Sequence, residues 1–207
     1  MICRARQRAS HGAFTNQVAK RHLMNNAHQR PKEPARVRRA LLDAAQQIAV
    51  AQGLQNVTVQ AVAQAAGVTK GGLLHHFASK QRLLDALFAD LIEAYEQEIT
   101  SRMASQTQTY GVFSRAYIET TMADITEPNR HPRAALCVLA ISDAGMRKLW
   151  ADRMNTLRRA HDDTDDDIQL AIARFAVDGY WLAQMIGSDE RAPEIVRKHL
   201  ISLTRFS

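Results

Sequence analysis

Residues 58–80 read TVQAVAQAAGVTKGGLLHHFASK, from Thr58 to Lys80, and this stretch decides the fold. Thr58 is a good N-cap, and Val59, Val62, Ala63 and Ala66 follow it at helical spacing. Gly67 stands where a helix ends in left-handed backbone, and Val68 is placed to turn back into a core. Thr69 caps a second short helix with Leu73, Leu74 and Phe77 on its apolar side. Two short helices joined by a glycine turn make a helix-turn-helix, whose second helix enters the major groove of duplex DNA.

The flanks extend the helical reading. Upstream, a helix begins after Pro34, carries Val37, Leu41, Ala44, Ala45 and Ile48 on one face, and ends at Gly53. Downstream, Ser79 caps a long helix to about Met103, with Leu83, Leu84, Leu87, Leu91 and Ile92 as its stripe. A helix is expected over about 107–125, before Pro128 and Pro132 break the chain. The apolar run RAALCVLAI, residues 133–141, reads as a buried helix. Three more helices are expected over about 143–160, 168–186 and 193–205, the last with Pro193 in its first turn. No strand alternation or internal repeat stands out, so the fold class is all-α, with about nine helices.

Residues 36–84 resemble the DNA-binding domain of the tetracycline-repressor (TetR/AcrR) family of bacterial regulators. The resemblance rests on Ala65, Ala66, Gly67, Val68, Thr69, Lys70 and Gly71, then His75, Phe77, Ser79, Lys80, Leu83 and Leu84. It covers about a quarter of the chain closely, and the remainder matches in length and helical pattern. There are two departures. Leu74 stands where the family commonly places a phosphate-binding Tyr, and Ala49 stands where a Phe is common. Composition makes residues 1–33 a disordered basic arm, and the resemblance implies a three-helix helix-turn-helix domain over 34–80 and a helical effector-binding and dimerisation domain over 81–207.

Charge supports the same division. Residues 1–80 hold 12 Lys/Arg against 2 Asp/Glu, and residues 81–207 hold 15 against 19, so +10 and −4 give the net +6. Only the front half is suited to a polyanion. The arm is polar, without clear period, and basic enough to add phosphate contacts; Met24 within it is an alternative start. No run is long enough to span a bilayer, and the basic N-terminus lacks an apolar signal core. Cys3 and Cys137 are far apart and in no redox or metal spacing, which fits a reducing cytoplasm.

The candidate DNA-binding residues are Arg38, Thr58, Thr69, Lys70, Gly71, Gly72, His75, His76 and Lys80. Thr69 and Lys70 lie at the N-terminal end of the second helix, which faces base edges in this geometry. Gly71 and Gly72 cost helix stability, and close approach of the backbone to the duplex is a reason to keep them. Arg36, Arg38 and Arg39 sit at the unfavourable end of a helix dipole, so phosphate is a reason for them too. Candidate pocket walls are Phe113, Tyr117, Met122, Trp150 and Met154, and the competing reading of each is plain core.

The helix over 168–186 is apolar nearly all round, more than one subunit covers easily; the competing reading is a central buried helix. With the family's last two helices as its interface, the resemblance implies dimer contacts at Phe175, Tyr180, Trp181, Met185, Ile195 and Leu200. Cys137, inside an apolar run, reads as core rather than a redox sensor. The run Asp162–Asp167 lacks the Gly and Glu of a calcium loop and reads as helix capping; no metal or other cofactor is expected. No nucleophile elbow or phosphate loop is present, so no enzyme activity is expected.

The expected function is a sequence-specific DNA-binding transcription regulator. It resembles a repressor that binds a palindromic double-stranded operator as a homodimer and is released by a small-molecule effector. The alternative is a helical ligand- or protein-binding module that has lost specific DNA binding, for which Leu74 and the paired glycines speak.

Overall fold

The computed structural model describes residues 32–126, 137, 141–188 and 191–205. The basic arm up to residue 31, and residues 133–136 and 138–140 of the apolar run, lie outside the described residues. Every described element is helical. The first helix, α1 (Lys32–Gln52), starts two residues before Pro34, which sits in its first turn. A 3-10 turn at Leu54–Asn56 follows. Then come α2 (Val59–Ala65), α3 (Lys70–His76) and α4 (Lys80–Ala104). The C-terminal part holds α5 (Val112–Thr126), α6 (Ala144–Arg159), the single turn α7 (Asp162–Asp165), α8 (Ile168–Met185) and α9 (Pro193–Ser202).

One apolar core locks the first four helices together. Leu41, Leu42, Ala45 and Ala49 of α1 meet Val57, Val62, Leu73 and Phe77, and the first three turns of α4 close it with Leu83, Leu84, Leu87, Phe88 and Leu91. Ala49 is fully enclosed, so the small side chain at this position is matched by its neighbours. Arg39 does not wait for phosphate. It pairs with Asp43 one turn on and with Asp90 of α4 at 2.6 Å, tying α1 to α4.

The helix α4 is about 37 Å long at 1.5 Å per residue. Its first half belongs to the N-terminal core, and its second half, through Tyr95 and Ile99, packs with Phe113 and Ala116 of α5. A second C-terminal cluster joins Ile118 and Met122 of α5 to Ala173, Val177 and Tyr180 of α8 and Leu200 of α9.

The expected start of α5 near residue 107 is five residues early. Gly111 has φ +68°, and a Cβ there would lie 2.8 Å from the Thr204 carbonyl, so glycine makes the corner. The cap comes from far away. Asp165 accepts from the amide N–H groups of Phe113 (3.1 Å) and Ser114 (2.8 Å) and from the Ser114 hydroxyl (2.6 Å). Arg174 of α8 donates to Ser114 Oγ and faces Asp165 across 3.9 Å. Arg115 gathers the carbonyls of Gln108, Tyr110 and Thr204. The rest of the acidic run is also structural: Asp162 pairs with Arg158, and Asp167 caps α8 through the Gln169 N–H.

Candidate nucleic-acid interface and internal pocket

The turn between α2 and α3 is built from local bonds. Thr58 Oγ1 accepts from the Ala61 N–H at 3.1 Å, and Thr69 Oγ1 accepts from the Gly72 N–H at 3.0 Å. Gly67 is left-handed at φ +68°. Its N–H donates to the Gln64 carbonyl, while the Val68 N–H reaches back to Ala63 at 2.9 Å, the paired bonding of a Schellman turn. Buried Leu73 and Phe77 clamp α3 to the core.

What α3 leaves outside is its N-terminal end. Thr69, Lys70 and Gly71 are exposed, and Gly72 is half-buried. A Cβ on Gly71 would meet only the Thr69 hydroxyl at 3.9 Å, and one on Gly72 would meet that hydroxyl at 3.3 Å and Val68 at 3.8 Å. Packing inside the subunit therefore gives no reason for Gly71, whereas at Gly72 a Cβ would crowd the capping Thr69 hydroxyl; each glycine costs a helix about 1 kcal/mol relative to Ala. Leu74 and His75 are exposed and His76 is half-buried, the two imidazoles standing edge to face at 5.6 Å.

The flanking cations divide into two kinds. Arg38 is exposed and lies over the Phe77 ring, 4.9 Å from guanidinium carbon to centroid, beside the C-terminal end of α3. Lys80 is half-buried and donates to the carbonyls of Leu54 (3.3 Å) and Gln55 (3.5 Å). It braces the 3-10 turn rather than standing free, and no local pattern in the sequence marks that partner 26 residues away.

Behind this head lies a cavity of about 530 Å³ between α4, α5, α6 and α8. Of the five expected wall residues, Tyr117 and Trp150 line it. Phe113, Met122 and Met154 do not: Phe113 and Met122 fill cores, and Met154 packs against the cluster around Phe113. The walls missed by the sequence reading include Tyr95, Asp124, Asp178 and Trp181, and also Cys137, which is half-buried at the pocket rather than core. Ile141, at the end of the expected buried helix, is exposed beside the pocket.

Two polar pairs cross the cavity wall. Tyr95 and Thr121 share a hydroxyl bond of 2.7 Å, and the Tyr117 hydroxyl donates to Asp178 Oδ1 at 2.7 Å. Burial pushes both tyrosines well above their ordinary range. Desolvation by the apolar walls pushes Asp178 up to about 6, against the opposing pull of Tyr117 and Arg174.

The third candidate surface splits in two. Tyr180 and Leu200 are buried in their own subunit, with the Tyr180 hydroxyl donating to the Arg191 carbonyl, and Trp181 faces the pocket. Met185 is half-buried. Phe175 and Ile195 are 70 % and 69 % exposed. So α8 is not enclosed on all sides: Ile168, Ile172, Phe175, Gly179, Leu182 and Ile186 run along one open face, four and three residues apart.

Among the described residues no group of three or more His, Cys, Asp or Glu converges as metal ligands do, and no helix is long and apolar enough to cross a membrane.

Comparison with known proteins agrees with this geometry. Residues 41–87 match the family described as bacterial regulatory proteins, tetR family, and residues 111–205 match the tetracyclin repressor-like C-terminal domain. The HTH-type transcriptional repressor KstR2 of Rhodococcus jostii (strain RHA1) is 29 % identical over 161 residues, 70 % of this chain and 77 % of that one. The multidrug binding protein EbrR, solved with malachite green, superposes with TM-score 0.65 at 19 % identity, over 82 % of this chain and 98 % of its own. The ketosteroid transcriptional regulator KstR2 of Mycobacterium tuberculosis gives 0.58 at 20 %, over 81 % and 92 %. With head and body both matched, the chain belongs to the tetR family of bacterial regulatory proteins: it is a DNA-binding transcription regulator and not an enzyme.

Proposed function

We propose that the protein is a cytoplasmic homodimeric repressor that reads a palindromic operator through α3 and leaves it when a small molecule enters the cavity. The observation that carries the DNA reading is the N-terminal end of α3, where Thr69, Lys70 and the unpacked Gly71 stand exposed on a helix clamped by Leu73 and Phe77. Lys70 suits guanine O6/N7, Thr69 suits a phosphate or a thymine methyl, and the glycines suit close backbone approach. Thr58, at the start of α2, and Arg38, His75 and His76, at the C-terminal end of α3, serve as phosphate contacts, and Lys80 contributes by holding the turn. The basic arm adds sequence-independent attraction.

Two-fold operators call for a two-fold protein with heads about 34 Å apart or a multiple of it. The open stripe on α8 supplies a surface for that pairing, with Ile195 of α9 and Leu203 just after it also exposed. Its spacing of four and three is that of helix seams, and Gly179, with nothing within 4 Å, permits close approach.

The division near residue 80 falls at the Ser79 cap of α4, yet the first turns of α4 stay with the head. Phe88, Leu91 and Met146 belong to the head's core and also line the cavity. Anything that reshapes the cavity therefore presses on the helix that holds the head, and this shared wall supports the allosteric reading.

The decisive experiment is selection of bound fragments from the source genome, followed by a salt titration on the recovered site. One symmetric site, bound by a dimer and weakening steeply with salt, is the expected result. Equal weak binding to all duplexes would return the chain to the ligand-binding alternative.

A further inference from the structure

Helical spacing predicts Leu74 on the apolar side of α3, and the structure leaves it outside. Among the described residues of the head, Leu74 and Val50 of α1 are the two large apolar side chains that stand exposed, Leu74 at 39 %. Leu73 and Phe77 are buried in the core and hold α3 there. Leu74 lies four residues after Lys70 and three after Gly71, and both of those are exposed as well. Residues at these spacings are neighbours on one helix face. That face therefore presents a cation, a bare stretch of backbone and a branched alkyl group side by side. A single exposed leucine is ordinary on a protein surface. This one stands beside the two residues that carry the DNA reading.

We infer that Leu74 is a specificity-determining residue: its methyl groups pack against the C5 methyl of one thymine in each half-site of the operator. The inference rests on the proposed insertion of α3 into the major groove. A leucine has no donor for a phosphate oxygen. Set against phosphates or the polar base edges, it would strip water from them and return no bond. Thymine supplies the one methyl group on the major-groove edges of the four ordinary bases. Packing Leu74 on it takes apolar surface out of water on both sides. Gly71 favours the contact. A Cβ there would meet only the Thr69 hydroxyl at 3.9 Å, so its bareness is not imposed by the subunit. With no side chain at that position, the helix can come close enough for a short side chain one turn later to reach a base edge.

The test uses the full-length protein and an operator selected from unmethylated synthetic DNA, in which a C5 methyl belongs to thymine and never to 5-methylcytosine. Each thymine is replaced in turn by deoxyuridine, which keeps the hydrogen-bonding edge and lacks only the methyl group. At one thymine, in the same position of both half-sites, the replacement should weaken binding about fourfold per half-site, the effect of burying one methyl group. Leu74→Ala should bind the thymine and deoxyuridine operators equally at that position. It should keep the parent's response to deoxyuridine elsewhere, its steep salt dependence and its melting temperature, because the side chain is exposed. No deoxyuridine response in the native protein, or responses that all survive Leu74→Ala, would overturn the thymine contact and leave the DNA-binding reading standing. Failure to select any operator would overturn that reading and the thymine contact together.

Discussion

The helices of the head and the helix α5 of the body begin in different ways, although α6 and α8 of the body start on local caps from Asp143 and Asp167. In the head, Thr58, Thr69 and Ser79 each cap a helix by accepting from an N–H three residues later. In the body, α5 begins where Asp165 accepts from Phe113 and Ser114, more than fifty residues back along the chain. A local cap can form as soon as its own turn forms. A remote cap exists only once α5, α7 and α8 have come together. The head's start points are therefore written into a few neighbouring residues, and the start of α5 is a product of tertiary packing.

The sharpest way to break this contrast is Asp165→Ala. It would leave two buried N–H groups and the Ser114 hydroxyl without their acceptor, and Arg174 without its nearest carboxylate. Removing one partner of such a buried charged pair costs about 3–5 kcal/mol. Thr69→Ala in the head should cost about 1 kcal/mol. Chemical denaturation of both variants checks the ratio. Equal losses would mean that the remote cap is no more than an ordinary one.

The same contrast explains what sequence reading reaches. The helix-turn-helix was legible because Thr58, Gly67, Thr69 and Ser79 act on residues within one turn or so of themselves. Nothing near residue 107 announces that α5 waits for Gly111, because the acceptor is Asp165. Helical periodicity correctly gave α8 an apolar excess. It could not divide that excess between Tyr180, which the subunit buries, and Phe175, which it leaves open. Phe113 and Tyr117 lie one turn apart on α5, yet one fills the core and the other lines a cavity. That choice is made by α4, α6 and α8 meeting around them, which spacing along one helix does not encode. Lys80 shows the same limit within the head, since its carbonyl partners lie across the fold.

The next effect in size concerns recognition rather than folding. Lys70→Ala should leave stability nearly unchanged, because the side chain is exposed. It should cost about 1–3 kcal/mol of operator binding and relax preference at one base position. Binding of the variant to single-base substituted operators measures this. A uniform loss at all sites would reassign Lys70 to phosphate.

Gly71→Ala separates stability from function within one residue. Space exists for the methyl group, so the head should gain about 1 kcal/mol. Operator affinity should fall if the bare backbone is there to approach the duplex. A variant that melts higher and binds DNA as tightly as the parent would leave the glycine without a recognition role.

The smallest effect returns to the body, at Asp178. Its folded carboxyl is raised to about 6 from the ordinary 3.8, chiefly by desolvation, with the Tyr117 hydroxyl on α5 and Arg174 on its own helix opposing the rise. Between those values the folded protein holds more protons than the unfolded chain, so stability falls as pH rises through the window and levels off above it. Asp178→Asn cannot titrate. The variant should therefore gain on the parent between pH 3.8 and about 6 and keep a constant lead above that range. Taking the difference between two unfolding series cancels most contributions from other carboxylates. A difference that stays flat across the window would mean that water reaches Asp178 freely, and the pocket wall would then resemble the protein surface rather than its interior.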